Sequence, residues 1–151
     1  MMSSETKLIL DGLTSTFFRV FNNGSGRKVN LDPLKELFIT EGIIIKNCGT
    51  TPEIYTLRQF IEPREKLLND GSLTDFKEEE LFERTEIFGN IAHRFSLYQK
   101  SGLMHGVAFK TKGMKTIQFI KSRYGWKISS LAWDDEREGL IIPNEYIQVD
   151  N

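Results

Sequence analysis

Five polar side chains on the C-terminal half of the chain have the chemistry of an acid–base site: His93, Ser96, Tyr98, Gln118 and Asp134. Histidine titrates near neutrality, and tyrosine or glutamine can donate to a carbonyl oxygen. A cofactor-independent lyase, isomerase or cyclase needs that pairing, and the candidate catalytic residues are accordingly His93, Tyr98 and Gln118. Strand alternation sets a condition. Along an unbroken strand Arg94, Ser96 and Tyr98 share one face and His93 shares the other with Phe95 and Leu97, so His93 and Tyr98 meet in one cavity only if a bulge intervenes. Each residue also has a plain structural reading. His93 suits a hydrogen-bonded interface, Tyr98 and Trp133 suit a core or a subunit contact, and Gln118 suits either a pocket wall or a structural bond. Arg94, if enclosed, requires an acidic partner such as Asp134 or an anionic ligand.

Other chemistries lack their residues. Asp134-Asp135-Glu136 has no neighbouring His or acid motif, so no metal is expected and the run reads as a solvated strand end. His105 lies in a loop without ligand spacing. The lone Cys48 has no Cys-His pattern, excludes an internal disulfide and fits a reducing compartment, here taken as the cytoplasm. No phosphate loop, zinc spacing or nucleophile elbow occurs, and no cofactor is implied. Glu78 to Glu80 with Glu83 and Glu86 reads as a charged sheet edge that discourages strand pairing.

The elements that position these residues follow from periodicity. At 151 residues the chain suits one domain spanning 1–151, and 39% hydrophobic with 27% charged residues is ordinary for a globular protein. Twenty basic against 21 acidic residues argue against nucleic acid, and no apolar run reaches the length of a membrane helix; Met1 to Thr6 is polar, without a signal-peptide core. Ile9, Leu13, Phe17 and Val20 form one face of a helix over Lys7 to Asn22. Asp32-Pro33 reads as a cap and first turn, leading into Ile43-Ile44-Ile45, a strand expected to be buried on both sides. Thr56 and Gln59 form a capping box for a helix that Pro63 should kink or split. From Leu73 onward the pattern is strands, with hairpins at Gly89-Asn90 and Tyr124-Gly125. Helices first and a strand meander after is an α+β pattern. Eleven Phe, four Tyr and two Trp need a wide core or a hollow. Strands apolar on both faces imply helices on one side and a second subunit on the other, hence a homodimer.

The element order and three local motifs resemble the nuclear transport factor 2-like superfamily, also called SnoaL-like or ketosteroid-isomerase-like, over about Lys7 to Asp135. The motifs are Phe88-Gly89-Asn90-Ile91-Ala92-His93-Arg94-Phe95-Ser96-Leu97-Tyr98, then Thr116-Ile117-Gln118-Phe119, then Gly125-Trp126-Lys127-Ile128-Ser129-Ser130-Leu131-Ala132-Trp133, as in a bacterial branch of the superfamily. The resemblance implies a cystatin-like cone: a strongly curved mixed or antiparallel sheet wrapped around N-terminal helices, with an apolar pocket inside and a dimer surface outside. It implies a ligand-pocket set of Phe17, Phe21, Phe60, Arg94, Ser96, Trp133 and Asp134. Aligned on the isomerase branch, Lys46 stands at the catalytic base, Phe17 at the helix tyrosine and Gln118 near the late-strand acid. All three differ from that branch, so binding of a small apolar or amphipathic molecule is the favoured expectation. SnoaL-like catalysis or a non-catalytic dimerisation module are the alternatives, since the fold hosts all of these.

Overall fold

The computed structural model describes residues 4–147; the first three residues of the polar N-terminal stretch lie outside them. Helix α1 (Ser4–Arg19) buries Leu10, Thr14, Phe17 and Phe18 along one stripe. The short α2 (Leu34–Leu37) is entered through backbone bonds, with the Lys35 amide donating to the Asp32 carbonyl at 2.9 Å, and the Asp32 side chain does not cap it. Strand β1 (Phe38–Lys46) and strand β2 (Glu53–Thr56) follow, then helix α3 (Leu57–Asn69). Both halves of the Thr56/Gln59 capping box form. Pro63 does not split α3, which is one helix across it. The long strands are β3 (Leu73–Phe88), β4 (Ile91–Met104), β5 (Val107–Ser122) and β6 (Gly125–Asp135).

These make one sheet in the order β2-β1-β6-β5-β4-β3, with β1 and β6 parallel and every other pair antiparallel. The fold is therefore α+β with a mixed sheet and N-terminal helices. The turns carry the required residues: Gly89 has φ +56°, and at the β4–β5 hairpin His105 and Gly106 have φ +49° and +81°, the left-handed pair of a type I′ turn. Ile44 is fully buried but Ile43 is 36% exposed, so β1 alternates and is not enclosed on both sides.

Two register shifts decide which residues face the helices. Phe119 pairs with Ile128 while Gln118 pairs with Ser130, leaving Ser129 as the extra residue. Across this bulge the inward set on β6 changes from Trp126 and Ile128 to Leu131 and Trp133, all buried. Between Glu80 and Phe82 a second shift does the same for β3. Glu78 and Glu80 on one side of it, and Glu83 on the other, thus bond inward to Lys115, Arg94 and Lys7. Only part of the acidic run is a solvated edge; the bulge at Leu81 turns the rest toward the helices.

The outer sheet face is partly covered by the chain itself. Residues 140–146 cross it, and Tyr146 packs edge-on against Phe82 and Phe95 with ring centroids 5.9 and 5.4 Å apart. Further along, Phe88 and Ile91 are exposed. Among the described residues no helix is long and apolar enough to cross a membrane.

Candidate functional site

Between α1, α3 and the inner sheet face lies an open cavity of about 630 Å³. Helix α1 contributes Phe17 and Phe21, whose rings meet at 5.3 Å, and α3 contributes Phe60, which meets Phe21 and Trp133 edge-on at 6.0 and 6.2 Å. Phe76, Phe109 and Leu68 complete an apolar wall. Into this wall are set Lys46, Arg64, Glu78, Lys100 and Lys115.

Lys115 is the most enclosed of these, 3% exposed, with its Nζ 3.3 Å from Glu78 Oε1 and 3.9 Å from the centre of the Tyr98 ring. Burial pulls its pKa down from the ordinary lysine value, opposed by the Glu78 carboxylate. Arg64 lies over Phe60 at 3.9 Å and is held there by the ring faces of α3 and β6. Its pKa too is lowered by burial. Trp133 is 8% exposed, and its Nε1 is buried with no hydrogen-bond acceptor among the described residues.

Beside the cavity, Tyr98 donates to Asp135, and Lys100 Nζ lies 3.0 Å from the other carboxylate oxygen. The Cys48 thiol is 3.6 Å from that same oxygen. Burial, reinforced by Asp135, pushes the Tyr98 phenol far above its ordinary range, so the hydroxyl keeps its proton and serves as a donor. Burial likewise pushes the Cys48 thiol up.

The sequence-expected residues fall in three places. Phe17, Phe21, Phe60 and Trp133 line the cavity. Arg94 and Ser96 are on the same inner face but nearer the β3–β4 hairpin, in an ion cluster under α1: Arg94 makes a two-pronged contact with Glu80 at 2.6 and 3.0 Å and reaches Asp11 at 2.7 Å, and Ser96 Oγ donates to Glu80 at 2.6 Å. The partners of Arg94 are therefore Glu80 and Asp11, not Asp134. Asp134 instead bonds Arg137 and lines an outer groove beneath residues 140–146.

His93 and Gln118 are exact register partners on β4 and β5, so the structure does bring them together, but on the outer face. His93 is exposed and bonds Glu86 at 2.7 Å. The β4–β5 register is unbroken from Ile91 to Met104, so no bulge turns His93 toward Tyr98, and the three candidate catalytic residues do not share a cavity. Lys46, which the alignment on the isomerase branch put at the base position, does line the cavity, but Arg64, Glu78, Lys100 and Lys115 were not singled out as pocket residues from sequence. A lysine at an inward strand position between apolar neighbours, Lys115 before Ile117 and Phe119, is the one signal that pointed to them. Among the described residues no three His, Cys, Asp or Glu side chains are grouped so as to hold a metal.

Comparison by sequence found no matching family model and no matching curated protein. Comparison by structure found many matches. A nuclear transport factor 2-like superfamily protein from Salmonella enterica serovar Typhimurium superposes with a TM-score of 0.73 at 15% identity, covering 93% of this chain and 97% of that one. An NTF2-like protein with a cystatin-like fold from Novosphingobium aromaticivorans gives 0.67 at 13% identity, over 96% and 90%. A protein with a cystatin-like fold from Caulobacter vibrioides gives 0.67 at 12% identity, over 89% and 92%. The helices packed on one face of a six-stranded mixed sheet are thus those of the cystatin-like fold found in nuclear transport factor 2-like proteins.

Proposed function

We propose that the protein binds a small apolar or amphipathic molecule in the cavity between α1, α3 and the inner sheet face. The supporting observation is a hollow of about 630 Å³ that the chain's own Phe and Trp side chains line without filling. An open hollow of this size, with aromatic walls and a few polar groups set into them, is suited to a guest. The test is titration with the neutral fluorophore N-phenyl-1-naphthylamine, together with solvent extraction and mass spectrometry of the purified protein. Saturable dye binding that Leu67→Trp, which narrows the cavity, weakens at least about fivefold supports the reading. Absence of dye binding in the folded protein overturns it.

A catalytic role in the same cavity has less support, because His93 and Gln118 face the other side of the sheet. Self-association is proposed on a separate observation: Phe88 and Ile91 are exposed at the end of the outer face that residues 140–146 leave uncovered. Equilibrium sedimentation of the wild type and Ile91→Glu tests it, with a dimer that the substitution dissociates as the expected result and a wild-type monomer at micromolar concentration as the contrary one. A cytoplasmic location rests on the lone Cys48.

A further inference from the structure

We propose that the ligand of this cavity is an organic anion, an apolar body carrying a carboxylate-type head that docks between Arg64 and the Trp133 indole. The proposal rests on the cavity-binding reading and adds the chemical class of the guest. Four cations and one carboxylate line the cavity. Glu78 takes Lys115, and Asp135, just outside, takes Lys100. Arg64 and Lys46 have no carboxylate within ion-pair distance among the described residues.

Arg64 is the more telling of the two. Its guanidinium is stacked over Phe60 at 3.9 Å, with Tyr55 at 5.2 Å and Trp133 at 5.8 Å, so its orientation is fixed by ring faces. Its hydrogen-bond partners are neutral, the Phe60 carbonyl at 3.5 Å and the Tyr55 hydroxyl, while Glu53, which accepts from Tyr55 at 2.7 Å, and Glu78 act on it only from beyond ion-pair distance. A guanidinium whose flat faces are occupied and whose N–H fork meets no carboxylate has its strongest interaction unused. Beside it, Trp133 carries a buried N–H with no acceptor, a vacancy that costs free energy until an oxygen fills it. Lys115 Nζ lies 4.9 Å from the centre of the same indole, so a second positive charge adjoins the Trp133 ring. One oxyanion placed here supplies an acceptor for Trp133 and a counter-charge for Arg64 together, while the ring-lined remainder takes the apolar body. A neutral guest satisfies at most the first.

The test uses two dyes with the same ring body, anionic 1-anilinonaphthalene-8-sulfonate and neutral N-phenyl-1-naphthylamine, and the pair sodium octanoate and 1-octanol as displacers. The expected results are binding of the sulfonate about tenfold tighter than the neutral dye at low salt, weakening with added NaCl, and displacement by octanoate at lower concentration than by octanol. Arg64→Met, which keeps an apolar stem against Phe60, should weaken the sulfonate about tenfold and leave the neutral dye within about twofold. Lys46→Gln, at a half-exposed position, should give a smaller loss in the same sense and serves if Arg64→Met fails to fold by circular dichroism. Equal affinity for the two dyes, or variants that alter both dyes alike or neither, overturns the anion assignment while leaving cavity binding intact. Failure of both dyes to bind the wild type refutes the cavity reading itself.

Discussion

The Tyr98 hydroxyl reaches Asp135 by passing over Gly113. Tyr98 is the register partner of Gly113 on β5, and Gly113 is the partner of Asp135 on β6, so the bond spans three strands. A Cβ at Gly113 would stand 2.5 Å from Asp135 Oδ1 and 2.8 Å from the Tyr98 hydroxyl. The glycine is there for space, since its φ is not in the left-handed region.

Gly113→Ala should therefore destabilise the fold by at least about 2 kcal/mol, and Tyr98→Phe by about 1.5–3 kcal/mol through loss of a hydrogen bond to a charged group. Because both substitutions act on one contact, the double variant should cost less than the sum. Urea denaturation of the four proteins measures this, and strict additivity would show that the two residues do not act through each other.

The buried pair Lys115–Glu78 offers a second cycle. Removing one partner leaves the other as an uncompensated charge at a site 3% and 9% exposed, so Lys115→Met should cost about 3–5 kcal/mol. Lys115→Met with Glu78→Leu removes both charges at similar volume and should recover to within about 1 kcal/mol of the wild type. A single variant as stable as the double would mean that Glu78 finds water or another cation.

Much of this architecture is legible in the sequence, for definable reasons. The Thr56/Gln59 box and the Gly89-Asn90 hairpin are local, and local chemistry dictates them, whereas of the helix face expected on α1 only Phe17 is buried: Ile9 is 44% exposed, and Leu10, Thr14 and Phe18 turn inward instead. What is lost is parity. The apolar residues Trp126, Ile128, Leu131 and Trp133 step from even to odd numbers, which is the trace of the Ser129 bulge. No such trace marks the shift near Leu81, where the neighbours are charged on both faces, so Glu78, Glu80 and Glu83 resemble a solvated run. Strand β2 has four residues, mostly exposed, and carries too short a pattern to recognise. The cavity cations Arg64 and Lys115 were missed for a related reason: Arg64 on α3 and Lys115 on β5 are far apart in sequence, and only the folded chain brings them to Trp133.

Asn23 is a further case of a residue whose role only the tertiary structure reveals. In sequence it ends the first helix; in the fold its side chain donates to the Leu68 and Leu73 carbonyls at 2.8 and 2.7 Å and accepts from the Phe76 amide at 2.7 Å. It ties the end of α1 to the end of α3 and the start of β3 while 4% exposed. Asn23→Ala leaves three backbone groups without their partner, two of them buried, and the expected loss is about 3 kcal/mol by chemical denaturation. Asn23→Asp keeps the acceptor alone and should be no better, because the carboxylate then faces two carbonyl oxygens.

Acid should unfold the protein through its paired carboxylates. For Asp135, burial alone would raise the pKa, but the Tyr98 hydrogen bond and Lys100 outweigh it and hold the carboxyl below its ordinary value. For Asp11, burial is outweighed by Lys7 and Arg94, and for Glu83 by Thr85 and Lys7. A carboxyl whose folded pKa lies below its unfolded one contributes stability in full above the unfolded value, about 4, and loses it as pH falls through the folded value. Unfolding free energy should therefore drop steadily below about pH 4. Asp135→Asn can still accept from Tyr98 but has no proton to take up. It should be less stable than the wild type at pH 7, lose less on acidification, and approach the wild-type curve at pH 2, as followed by urea titrations at each pH. Parallel curves for the two proteins would place the acid sensitivity elsewhere, in the Asp11 and Glu83 carboxylates around Arg94.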